Sequence, residues 1–150
     1  MEYIAYGLGD FDIDKFNEVE NVEYRNKPKG GLWASPISAE RGWKDWCEDE
    51  QFRDCKDDNS FRFTLKDNAN IYYINSIEDC KNMPQVDHKL MQSMIYPNFE
   101  KMKQNGIDAI QFNLSNDKTE SYTDGLYFAL YGWDCDCILV MNKDAIKIIE

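Results

Sequence analysis

The stretch that most limits the fold is Lys27-Pro28-Lys29-Gly30-Gly31-Leu32-Trp33-Ala34-Ser35-Pro36. Its prolines fix φ and its adjacent glycines allow positive φ, so the chain must turn sharply and then run extended from Leu32 to Ser35. Alternation puts Leu32 and Ala34 on one face of this strand, and Trp33 and Ser35 on the other. The glycines have two readings. They make a tight connection into a core strand that Trp33 fills, or a loop whose backbone lies close to a bound ligand.

The rest of the chain supplies elements around this strand. Tyr3–Gly7 reads as a short strand stopped by glycine. Within Asp10–Val19 the threefold spacing of Ile13, Phe16 and Val19 predicts one or two helical turns, and Val22–Lys29 reads as a loop or irregular strand. Ser38 is placed to cap a helix from Ala39 to about Glu50, with Trp43, Trp46 and Cys47 on its inward face. Phe61–Leu65 and Ile71–Ile74 read as strands joined by a polar turn. Ser76 and Asp79 have capping-box spacing before a short helix over Ile77–Asn82. Leu90, Met91, Met94 and Ile95 mark a helical face, interrupted at Pro97 and resumed by Phe99 and Met102 until Asn105-Gly106. Ile107–Phe112 reads as a strand, Asn113–Asp124 as a loop, and Leu126–Trp133 as a short helix or turn. Cys137–Met141 is a buried strand, and Ala145–Ile149 a short strand or helical turn. This order gives an α+β fold with small mixed or antiparallel sheets and flanking helices. No composition shift divides the chain, so residues 1–150 are read as a single domain.

Charge and cysteine content narrow the function. A formal net charge of −11 repels phosphate backbones, which argues against direct nucleic-acid binding and favours basic protein partners. No apolar run reaches the roughly 18 residues of a membrane span, and the N-terminus lacks a basic, apolar leader. A cytoplasmic, membrane-free protein is therefore expected. Five cysteines at irregular spacing, with a single histidine, fit neither a disulfide framework nor the usual zinc ligand patterns, so reduced thiols and no metal are expected. No P-loop, GxGxxG, HExxH or Ser/His/Asp series is present.

Four blocks, in order along most of the chain, resemble the small bacterial and phage members of the ADP-ribosyltransferase family. Tyr3-Ile-Ala-Tyr6-Gly7 resembles the family's first strand, and Gly30-Gly-Leu-Trp-Ala-Ser35 its Gly-rich second strand with an aromatic and a Ser. Phe63-Thr-Leu with Ala69–Asp79 resembles the middle strand pair and the helix after it. Asp134-Cys-Asp136-Cys-Ile-Leu-Val-Met-Asn-Lys-Asp-Ala-Ile146 resembles the last block, an acid before a hydrophobic strand. Asp stands where the family has Glu, and Ala5 and Tyr6 stand where it has Arg or His.

The resemblance implies an ADP-ribosyltransferase-like fold, NAD as the dinucleotide, and transfer of ADP-ribose to a protein acceptor, with a phage or mobile-element effector as the setting. It makes Asp136 the catalytic carboxylate, with Asp134 as second candidate. Trp33 and Tyr6 would hold the rings, and Ser35 would support the ribose or the carboxylate. The Gly30-Gly31-Leu32 backbone would pass close to the dinucleotide, and Arg25 would contact phosphate. For Asp134 and Asp136 the alternative is a pair of solvated acids before a strand. The alternative function is a non-catalytic acidic protein, a dead form of this fold or a DNA mimic, that blocks a basic protein surface.

Overall fold

Seven strands form one mixed sheet: β1 (Glu2–Tyr6), β2 (Leu32–Pro36), β3 (Ser60–Leu65), β4 (Ile71–Ile74), β5 (Ala109–Phe112), β6 (Cys137–Val140) and β7 (Ile146–Ile148). Their spatial order is β4-β5-β6-β2-β1-β3-β7. Only β4 and β5 run parallel, and the long crossover between them carries helices α2 (Ile77–Lys81) and α3 (Phe99–Gln104); α1 (Trp43–Asp49) follows β2 and α4 (Leu126–Ala129) precedes β6. The computed structural model describes residues 1–121 and 123–149. Tyr122, inside the loop read over Asn113–Asp124, and Glu150 lie outside the described residues.

Strand alternation builds two cores. Ile74, Ile110, Phe112 and Leu139 pack with Phe99, Met102, Leu126, Leu130 and Trp133 on one face. Leu32, Ala34, Phe63, Ile138 and Val140 form the other, against which Leu8, Phe11, Ile13 and Phe16 pack. Trp33 packs with the first core and Leu32 with the second, as the alternation of β2 requires.

The sheet is continuous but nearly split. β1 pairs with β3 along its whole length, and β2 pairs with β6 through Leu32, Trp33 and Ala34. Between β1 and β2 the register pairs are Tyr3 with Pro36 and Ile4 with Ser35 alone. Beyond Ser35 the two halves diverge, so Ala5 and Tyr6 have no register partner among Trp33 and Ala34.

The three helices that periodicity places over Asp10–Val19, Ala39–Glu50 and Leu90–Ile95 differ in the fold. The first shrinks to one tight turn at Ile13–Lys15, capped by Asp12, whose carboxylate accepts the Asp14 N–H at 3.0 Å. The backbone beyond that turn is used elsewhere, with the Gly31 N–H donating to Asn17 O at 2.8 Å. The second begins only at Trp43, after Gly42, and Asp45 rather than Ser38 takes the capping role by accepting the Gly42 N–H at 2.9 Å. Residues ahead of it cannot join the helix, because Arg41 O accepts the Asp136 N–H at 2.8 Å. The third is irregular: Leu90 is 70% exposed, and the Ile95 N–H reaches across to Ala129 O at 2.8 Å. In each case long-range backbone partners override apolar spacing. By contrast, α2 starts where the capping residues place it, its Asp79 carboxylate accepting the N–H groups of Asn75 and Ser76 at 2.8 and 3.1 Å.

The two glycines have a structural reason. Both have positive φ, +74° at Gly30 and +73° at Gly31. A Cβ at Gly30 would overlap the Glu18 carbonyl, and one at Gly31 would lie 2.6 Å from Leu139 Cδ1. The close approach they permit is therefore of protein to protein. Gly30→Ala is expected to lower stability well beyond the roughly 1–2 kcal/mol of a left-handed alanine. Gly7→Ala, with φ +80° and nothing within 4 Å of its Cβ, should cost only that backbone strain. Urea denaturation of the two variants checks the difference.

Candidate functional site

The divergence of β1 from β2 opens a cavity of about 570 Å³. Ile4, Ala5 and Tyr6 line it from one half-sheet, and Leu32 to Ser35 from the other. Aromatic rings add to its walls: Phe11 and Phe16 from the first loop, Trp43 from α1, and Trp133 after α4. Trp133 is fixed by its indole N–H, which donates to Asn26 O at 2.8 Å. It meets Trp33 edge to face at 4.9 Å between ring centroids, a favourable arrangement for two quadrupoles.

Charge at this cavity runs against the chain's overall balance. Lys15, Lys27 and Arg53 line it, with Asp12 and Asp134 as the acids. None of the three cations has a carboxylate within ion-pair distance among the described residues. Lys27 Nζ lies over the Trp33 ring, 5.7 Å from its centroid, where the π face attracts a cation. The Asp134 carboxylate has no hydrogen-bond or ion-pair partner among the described residues, and Asp134 is half-buried.

Ser35 joins the parts. Its hydroxyl donates to Asp136 O at 2.8 Å and accepts the Trp43 N–H at 2.9 Å. One buried side chain thus ties the end of β2 to the start of α1 and to the segment before β6. Tyr6, on the opposite wall, donates its hydroxyl to Asp57 Oδ1 at 3.1 Å. Burial, and then the acceptor Asp57, push this phenol up to about 12, so it stays a donor at neutral pH.

The structure brings Tyr6, Gly31, Leu32, Trp33, Ser35 and Asp134 to one cavity, and leaves Arg25, Gly30 and Asp136 off its walls. Arg25 is exposed, and Lys27, two residues on, is the cation that reaches the cavity. Gly30 is packed against the backbone of Asn17 and Glu18. Asp136 is only 5% exposed. Its carboxylate accepts hydrogen bonds from Ser115 N (2.9 Å), Ser115 Oγ (2.6 Å) and Arg41 N (3.2 Å). Such a buried, fully engaged carboxylate holds two loops together, and Asp134, two residues earlier, lines the cavity instead. Trp43, Trp133, Lys15 and Arg53 are among the lining residues that sequence reasoning missed. The tryptophans read as core, and no local signal marks the two cations. Comparisons of the chain with protein-family models, with curated proteins and with solved structures find no match.

The two aspartates should separate cleanly in stability. Asp136→Asn is expected to cost about 2–3 kcal/mol, because hydrogen bonds to a buried charge are lost or left mismatched. Asp134→Asn should stay within about 0.5 kcal/mol of the parent, as for a side chain without partners. Chemical denaturation of both variants measures the contrast.

Proposed function

We propose that this cavity binds NAD and that the protein is a mono-ADP-ribosyltransferase-like enzyme acting on a protein acceptor. The observation that carries the reading is the composition of the cavity in a chain of net charge −11: unpaired cations, aromatic walls and one free carboxylate converge there. Aromatic faces suit the flat rings of a dinucleotide, and the cations Lys15, Lys27 and Arg53 suit its pyrophosphate. The volume lies within the ordinary range for a site that encloses a small molecule, about 300–1,000 Å³.

NAD supplies an ADP-ribosyl group when its nicotinamide–ribose bond breaks through an oxocarbenium-like transition state, comparable to that of glycoside hydrolysis. Asp134 is the residue assigned to the ribose. Its carboxylate holds the hydroxyls and stabilises the positive charge that develops on the ring. Trp33, held by Trp133, presents a π face to the nicotinamide, and Tyr6 donates a hydrogen bond only at its own Asp57, which leaves its ring as the opposing wall. Asp136 acts as a positioning residue, because its hydrogen bonds fix the segment that carries Asp134. The acidic surface supports a basic acceptor protein, since opposite charge speeds encounter.

Two measurements test this. NAD should raise the melting temperature, by an amount equivalent to about 2.7 kcal/mol when its concentration is a hundred times the dissociation constant. Nicotinamide release, followed with and without cell lysate as acceptor, should fall about 100- to 1,000-fold in Asp134→Asn while the NAD-induced shift persists. If millimolar NAD leaves the melting temperature unchanged, the reading fails in favour of an acidic protein that blocks a basic surface. Equal release by the parent and Asp134→Asn removes Asp134 from its role.

A further inference from the structure

Two nucleophilic groups in the cavity wall are not used by this chemistry. Cys135 and Cys137 both line the cavity, both are buried, and neither is bonded to another cysteine. They are two residues apart where the chain enters β6, and both meet the same cavity. The backbone bends at Cys135 and Asp136, and each thiol shifts the other's titration. Fully extended, residues at i and i+2 are about 6.6 Å apart, at the upper limit of the Cα separation that a disulfide spans. A bent backbone is shorter than an extended one, which favours closure of the pair, and no third cysteine, histidine or acid completes a metal site among the described residues.

We propose that Cys135 and Cys137 form a peroxide-reactive thiol pair in the cavity wall, closing to an intramolecular disulfide. Hydrogen peroxide is small enough to reach sulfurs that a bulky disulfide reagent cannot approach. The Cys135 thiolate attacks one peroxide oxygen, the O–O bond breaks, and hydroxide leaves to take a proton as water. Cys135 is then a sulfenic acid, oxidised by two electrons. The Cys137 sulfur attacks that of Cys135 and loses its proton, the S–O bond breaks, and the departing hydroxide becomes the second water. Two thiols and one peroxide thus yield one disulfide and two waters.

Cys137 holds the Cys135 thiol below its ordinary value, against the opposing effect of burial. That assigns attack to Cys135 and resolution to Cys137, whose thiol is pushed up by Cys135 and by burial. The protein contains its own control. Cys47 and Cys55 are also buried, but burial first, and Cys55 second, push Cys47 up to about 11. Cys47 is therefore a weak nucleophile at neutral pH.

The test is intact-protein and peptide mass spectrometry after one equivalent of hydrogen peroxide, with alkylation of the remaining thiols. The parent should lose two hydrogens, about 2 Da, in a peptide holding Cys135 joined to Cys137, and dithiothreitol should restore the mass. Cys137→Ala should stop at a Cys135 sulfenic acid that dimedone captures, and Cys135→Ala should leave Cys137 unmodified under the same conditions. Oxidation at Cys47–Cys55 in preference, or no disulfide at Cys135–Cys137 in the parent, overturns the proposal. The parent measurement decides the matter even if a variant fails to fold, and it needs no NAD, so its outcome is independent of the proposed transferase activity.

Discussion

Pairing between β1 and β2 stops at Ile4 and Ser35, and the candidate site depends on that stop. Each strand has a partner on its other side, β3 along the whole of β1 and β6 along Leu32–Ala34 of β2, so the part of the junction that opens is held from both flanks. The junction can therefore open without leaving a strand unsupported. Ser35 stands at the last register pair and binds α1 through the Trp43 N–H and the β6 approach through Asp136 O. The parting of the halves is thereby fixed in place, and a wedge between strands becomes a defined cavity with walls from five parts of the chain.

Asp136 performs a related task from below. A buried carboxylate is costly unless each oxygen is engaged, and here the Arg41 and Ser115 backbone N–H groups and the Ser115 hydroxyl engage it. The same residue's N–H donates to Arg41 O. These bonds delay the start of α1 to Trp43 and so put that indole at the cavity wall rather than inside a longer helix. They also set the course of the chain through Asp134 and Cys135, which orients a carboxylate and a thiol toward the space between the half-sheets.

The electrostatic contrast follows from solvation. Most acids lie on the exterior, where water solvates them and their mutual repulsion keeps the protein dispersed. Lys15, Lys27 and Arg53, exposed as well, gather at the cavity with the aromatic walls. There they are placed to meet a bound anion. The Trp33 face under Lys27 holds that cation without neutralising it. None of the described helices is long and apolar enough to cross a membrane.

The sequence by itself determined the strands. Alternation in Leu32–Ser35, Phe61–Leu65 and Ile107–Phe112 named the faces that Trp33, Phe63 and Phe112 present, because side-chain direction in a strand has a strict period of two. It also located α2, since Asp79 and Ser76 act within one turn. Tertiary structure alone decided the lengths of the helices and the orientation of the acids. Nothing local distinguishes Asp134 from Asp136, whose partners Ser115 and Arg41 lie 21 and 95 residues away in sequence. Nor does local spacing show that the Ile95 N–H, at the end of the irregular segment from Leu90, bonds to Ala129 O. The cavity was illegible for the same reason: it exists where two strands cease to pair, and pairing is a property of residues brought together from distant parts of the chain.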